Sequence, residues 1–268
     1  MKLRDFAAEL RRQYHQGVKI DELRKAKLKM VEIYHRILTI FLGSPPTQFD
    51  FEAHDKDEKF AGVLNCTPLS FAREVIPIDL NDYVSMVNDP RNDYEATLTV
   101  DRLGNVVEGK AIRYLNLPIE HLWKYAKAQL DADLPVWFGC DCDADSELDR
   151  YGIYSKKLYS MEAVFGTTFN MNKKERMEYQ NGSMTHAMVF TGYNALPGDP
   201  KPTKWKVENS WGKKRGEAGY DIMTADWFDE HMYQVVILKK LLSPTHARIW
   251  EQGEPIILPV WDPMGNCL

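Results

Sequence analysis

The sequence predicts an α+β fold, and three observations predict it. Helical periodicity fills the first 42 residues, alternating strand patterns gather after residue 83, and the two kinds of element do not alternate as regular βαβ units. A chain of 268 residues can bury a sizeable core as one large domain or two modest ones. We expect a helical segment over residues 1–60 and a strand-bearing lobe over 61–268 that ends in a docked tail.

Taken in order, Leu3, Phe6, Ala7, Leu10 and Tyr14 recur at helical steps until Gly17 interrupts them. A second stripe follows in Leu23, Ala26, Met30, Ile33, Ile37 and Ile40, with Asp21 as its expected cap and Gly43, Pro45 and Pro46 as its stop. The basic run RKAKLKM falls on the polar side of this helix and reads as a solvated face. Residues 47–66 are polar and predict loop with short strand, and Thr67 followed by Pro68 starts a helix. Residues 83–115 alternate and break at NDPRND and LGN, which predicts short strands and turns. A helix is expected over 118–133, a buried strand over 134–141 and a short helix over 173–180. A hairpin pairs 185–193 with 204–209, a helix starts at Thr224 or Asp226, and YQVVILKK is a last long strand.

Composition excludes several classes of function. The chain is 44% hydrophobic and 27% charged, as ordinary soluble domains are. A net charge of -5 gives no broad attraction to nucleic acid or anionic lipid. There is no apolar run long enough for a membrane span and no apolar signal core after Met1. Four cysteines without a secretory signal fit a reducing compartment, so a cytoplasmic location is expected.

The hairpin carries the chemistry. In MTHAMVFTGYN and KWKVENSWG, alternation puts His186, Met188 and Phe190 on one face, and Trp205, Val207 and Asn209 on another that meets it. A turn centred between Pro197 and Gly198 sets His186 opposite Asn209, and a loop this long can shift the register by a residue or two and still leave the two residues neighbours. An amide that holds one imidazole nitrogen leaves the other free to take a proton from a nucleophile. A neutral amide also suits an imidazolium paired with a thiolate. A buried, satisfied His–Asn pair with no catalytic role has the same spacing.

These two stretches resemble the histidine and asparagine motifs of papain-like cysteine peptidases. Together with TPLSFARE, NDPR, PVWFGCD, NMNKKERMEY, GYDIMTADWFDEHMYQVV and EPIILPVWDPMG, they resemble the bleomycin hydrolase and aminopeptidase C family, from near residue 1 to residue 264. The resemblance implies a papain-like lobe carrying catalytic His186 and Asn209, with Trp211 shielding their bond, and N-terminal helices added. It implies a cysteine-type aminopeptidase that acts on peptides with no cofactor and no metal, assembled as a cytosolic homohexamer. It also implies that the tail lies in the cleft, where the carboxylate of Leu268 meets the substrate amino group, although the ending NCL departs from the family's alanine-rich end.

One part of the family pattern is absent. The nucleophile of that family sits in a Q-G-x-C-W segment with an oxyanion glutamine, and these 268 residues contain neither. The chain resembles the C-terminal portion of such an enzyme, with the nucleophile lobe missing, and is expected to be inactive alone. The alternative is a non-catalytic binding subunit or decoy. Either way an apolar face bordered by Met188 and Trp211 should await the missing lobe. Cys66 in LNCTPL lacks the nucleophile's context and reads as a small buried residue, as does Cys140. Cys142 reads as a loop residue, and Cys267 lies in the tail. The acidic stretch DCDADSELD lacks the glycine and glutamate of a calcium loop, and reads as solvated.

Overall fold

The computed structural model describes residues 3–76, 78–104 and 109–265. The chain forms two compact units, Met1–Ile78 and Asp79–Leu268.

In the first unit, α1 (Leu3–His15) and α2 (Ile20–Leu42) meet at a turn around Gly17, whose φ of +83° suits a residue without a Cβ. The α2 stripe turns inward at Leu23, Ala26, Met30, Ile33 and Ile37, but Ile40 is exposed. Asp21 does not cap α2. The helix begins one residue before it, Lys19 holds the cap position without a side-chain bond, and Asp21 instead faces the positive helix end from the first turn. Strands β1 (Phe49–Phe51) and β2 (Val63–Cys66) form a hairpin over α3 (Pro68–Glu74), with Phe49 and Phe51 packed on Phe71. Thr67 and Ser70 close a reciprocal capping box at the start of α3.

The second unit is built on a mixed sheet. Its strands in chain order are β3 (Tyr83–Val87), β4 (Ala96–Val100), β5 (Tyr114–Asn116), then, after helix α4 (Ile119–Asp131), β6 (Val136–Cys140), β7 (Ser146–Glu147) and β8 (Ile153–Tyr154). Helices α5 (Met161–Phe165) and α6 (Lys173–Glu178) precede the long pair β9 (His186–Ala195) and β10 (Pro202–Glu208). Strand β11 (Tyr220–Thr224), helix α7 (Ala225–His231), strand β12 (Met232–Leu238), helix α8 (Pro244–Gln252) and strand β13 (Ile256–Leu258) complete it. Among the described residues the sheet order is β13-β4-β5-β3-β12-β6-β9-β10-β11-β8-β7.

The larger core cluster sits on one face of the central strands, and a second one, with Val87, Leu98, Tyr233 and Met264, is separate from it. Phe138 stacks on Phe190 with ring centroids 3.9 Å apart, and Phe190, Trp205 and Phe228 continue the stack. Helix α4 lays Leu122, Trp123 and Ala126 over it, and buried Gln129 bonds Pro135 O and Leu238 N at the strand ends. The tail is docked as far as residue 265. β13 pairs in parallel with β4, and Asp262 accepts from the Arg91 guanidinium at 2.8 Å while Arg91 also grips buried Asp89. Leu268 and Cys267 lie outside the described residues.

Candidate active site

Three adjacent strands bring the site together at one end of the sheet. His186 opens β9, Asn209 directly follows β10, and Asp221 is the second residue of β11. The β9–β10 register is shifted by two residues from the symmetric turn, within the residue or two that the long loop allows. Val189 stands opposite Glu208, so Met188, not His186, faces Asn209. The shift is even, which preserves the faces, where an odd slip would have turned Asn209 outward. A bulge at Thr191, between the Lys206 and Val207 pairings, sets the register near the site. His186 therefore reaches Asn209 along the diagonal, and its Nε2 lies 3.0 Å from Asn209 Oδ1.

The surroundings of this bond are specific. The Trp211 ring stacks on His186 at 5.2 Å and 22°, and Arg215 lies over Trp211, 4.8 Å from a ring centroid. Trp211 keeps 39% of its surface exposed, so it covers the bond from one side. Ser210 N donates to Asn209 Oδ1 at 2.8 Å, and Asn209 Nδ2 donates to Asp221 Oδ2 at 3.1 Å. Asp221 is buried, and burial pushes its carboxyl pKa up while the Asn209 bond holds it down. Sequence reasoning missed Asp221. The available signal was a carboxylate at an inward position of the strand YDIMT, between exposed or half-buried Tyr220 and Ile222.

Other expectations at this end of the sheet are corrected. Met188 does not border an exposed patch, because it lies beneath the sheet end with its sulfur 3.1 Å from the Tyr154 hydroxyl. The stretch DCDADSELD is not simply solvated. Asp141 is buried, and Asp145 Oδ2 lies 3.0 Å from Nε2 of buried His231. Together with Arg176 and Glu162 they line a cleft of about 970 Å3 that neither His186 nor Asn209 lines. No group of three or more metal-ligating side chains occurs among the described residues.

The three cysteines among the described residues are placed unlike nucleophiles. Cys66 is buried and its thiol donates to Val63 O at 3.2 Å. Cys140 is buried in β6, in register with His186 across the sheet. Cys142 lies in the turn after β6, as expected of a loop residue, but it is buried, and burial pushes its thiol up to about 11, away from thiolate chemistry. No helix among the described residues is long and apolar enough to cross a membrane.

The chain is similar to known peptidases. The sequence profile of the Peptidase C1-like family matches residues 1–265. The bleomycin hydrolase of Homo sapiens is 41% identical over 98% of this chain and 59% of its own length. The aminopeptidase C of Listeria monocytogenes is 41% identical over 88% of this chain and 53% of its own length. The crystal structure of pepw from Lactobacillus rhamnosis superposes with a TM-score of 0.88 at 41% identity, covering 98% of this chain and 59% of that one. The chain thus spans less than two thirds of the length of these relatives.

Proposed function

The chain belongs to the Peptidase C1-like family, and on that premise we propose that it supplies the histidine–asparagine half of a cysteine aminopeptidase similar to bleomycin hydrolase. The observation that carries this reading is the 3.0 Å contact of His186 Nε2 with Asn209 Oδ1 under the stacked Trp211 ring. With Nε2 engaged, Nδ1 is the nitrogen left for a thiol.

In the reaction, His186 takes the thiol proton and the thiolate adds to the peptide carbonyl carbon. The C–N bond then breaks as imidazolium returns that proton to the leaving amine. Water, deprotonated by the same ring, releases the acyl group from sulfur. Asn209 holds the ring through both steps without introducing a second charge. The chemistry calls for no cofactor.

The nucleophile and oxyanion glutamine belong, in this reading, to a second lobe bearing a Q-G-x-C-W segment, which the 268 residues do not contain. Hydrolysis by this chain alone is therefore absent. Loss of the nucleophile from a comparable triad costs on the order of 10^6-fold in turnover. The Leu268 carboxylate as anchor for the substrate amino group, a homohexameric assembly and a cytosolic location complete the proposal.

The test is to mix the chain with a separately made Q-G-x-C-W lobe and assay two fluorogenic amides. A free-amino aminoacyl amide should be cleaved and its N-acetylated form should not. Equal cleavage of both would contradict the aminopeptidase assignment. No cleavage of either, with the two lobes bound, would favour the non-catalytic subunit. Cleavage by the chain alone that disappears in Cys66→Ala would make Cys66 the nucleophile.

A further inference from the structure

We propose that Asp221 is a positioning residue that fixes which end of the Asn209 amide faces His186, and thereby fixes the His186 tautomer. The inference rests on reading His186 as the base. The contact between His186 and Asn209 does not by itself define the proton. An amide turned end for end presents either an acceptor or a donor in nearly the same shape, and a neutral imidazole nitrogen can match either. If Asn209 offers Oδ1, His186 carries its proton on Nε2 and Nδ1 is a free acceptor. If it offers Nδ2, the proton sits on Nδ1 and the ring cannot take one from a thiol there.

Asp221 removes the choice. An ionised carboxylate accepts hydrogen bonds and donates none. Its Oδ2 lies 3.1 Å from Asn209 Nδ2, and turning the amide would set two oxygens against each other inside the protein, where an unmet acceptor is costly. Ser210 N–H favours the same orientation, but that bond is at the solvent edge, where water can replace it. The chain is also shaped around the carboxylate. A Cβ on Gly216 would collide with both the Tyr220 carbonyl oxygen and Asp221 Oδ1, one on Gly152 would come within 2.7 Å of Asp221 Oδ1 and of Gly216 Cα, and both glycines have positive φ. The buried carboxylate thus sits where two backbone segments cross closely beside it, and its Oδ2 is left to the Asn209 amide.

The test is nitrogen-15 NMR of the imidazole in the full 268-residue chain at neutral pH. In the wild type, His186 Nδ1 should resonate as an unprotonated nitrogen and Nε2 as a protonated one. In Asp221→Leu the two resonances should move toward each other as the tautomers mix, and Asp221→Asn, which can still accept from Asn209, should restore most of the separation. Unchanged resonances in Asp221→Leu, with the remaining spectrum native, would overturn the proposal. Should that variant not fold, the wild type decides. The Asn209 side-chain amide resonances should follow the acid titration of the Asp221 carboxyl carbon, and an amide that ignores that titration refutes the lock. None of these readouts uses hydrolysis. An inactive two-lobe enzyme with the lock intact refutes the functional reading alone, and an active one with mixed tautomers refutes the lock alone.

Discussion

His186 and Asn209 meet without standing opposite each other, and this decides how much of the site could be read in advance. Alternation along MTHAM and KWKVEN sets their shared face, because a strand has period two and only the parity of the register matters. The register itself depends on the Thr191 bulge and the long connection between β9 and β10, and neither has a pattern that fixes it. The contact of Asp221 with Asn209 was not legible for a similar reason. Asp221 sits two positions along a neighbouring strand, and only the pairing of Val207 with both Phe190 and Asp221 brings the three strands into line. At this scale, Asn209→Ala in the two-lobe enzyme should lower kcat on the order of 10^2- to 10^4-fold with little change in KM, as loss of an orienting partner does. Steady-state kinetics checks it, and a change confined to KM would mean that Asn209 binds substrate instead.

Elements whose ends are marked by local chemistry were the legible ones. Thr67–Pro68 starts α3, and the proline- and glycine-rich loop closes the β9–β10 hairpin. Asp21 shows the limit of the same rule, since a good capping residue lies inside α2 when the helix extends one residue earlier. Thr67→Ala should cost about 1 kcal/mol of stability in the first unit through loss of the capping box. Gly216→Ala in the second unit should cost more, about 1–3 kcal/mol, because a positive φ of 55° acts together with the collision of a Cβ with the Tyr220 carbonyl oxygen and the Asp221 carboxylate. Urea unfolding of each variant measures both, and a neutral Gly216→Ala would show that the backbone relaxes there at no cost. The short strands β7 and β8 had no comparable signal, because two-residue pairings are set by tertiary contacts with β11.

Across the whole molecule, buried ionisable groups tie stability to pH. Burial pushes His231 down to about 4 from its ordinary 6.5, against the pull of Asp145. A base with a depressed folded pKa contributes stability that is complete above the unfolded value and is lost as pH falls through the folded one. Melting temperature should therefore drop between pH 6.5 and about 4, and His231→Phe should flatten the drop across that window. An unchanged slope would assign acid sensitivity to other groups. The sequence resemblance reaches this scale well, since eight short motifs spread over the chain specify one family, yet it says nothing of how the charges around the cleft pair. The central claim is that His186 is the base for a thiolate carried on another lobe. The direct measurement is inhibitor-sensitive hydrolysis of an aminoacyl amide by a Q-G-x-C-W lobe mixed with either this chain or its His186→Ala variant. Activity is expected with the first and, with the second, a loss on the order of 10^4- to 10^6-fold at equal lobe binding; equal activity with both would rule out His186 as the base.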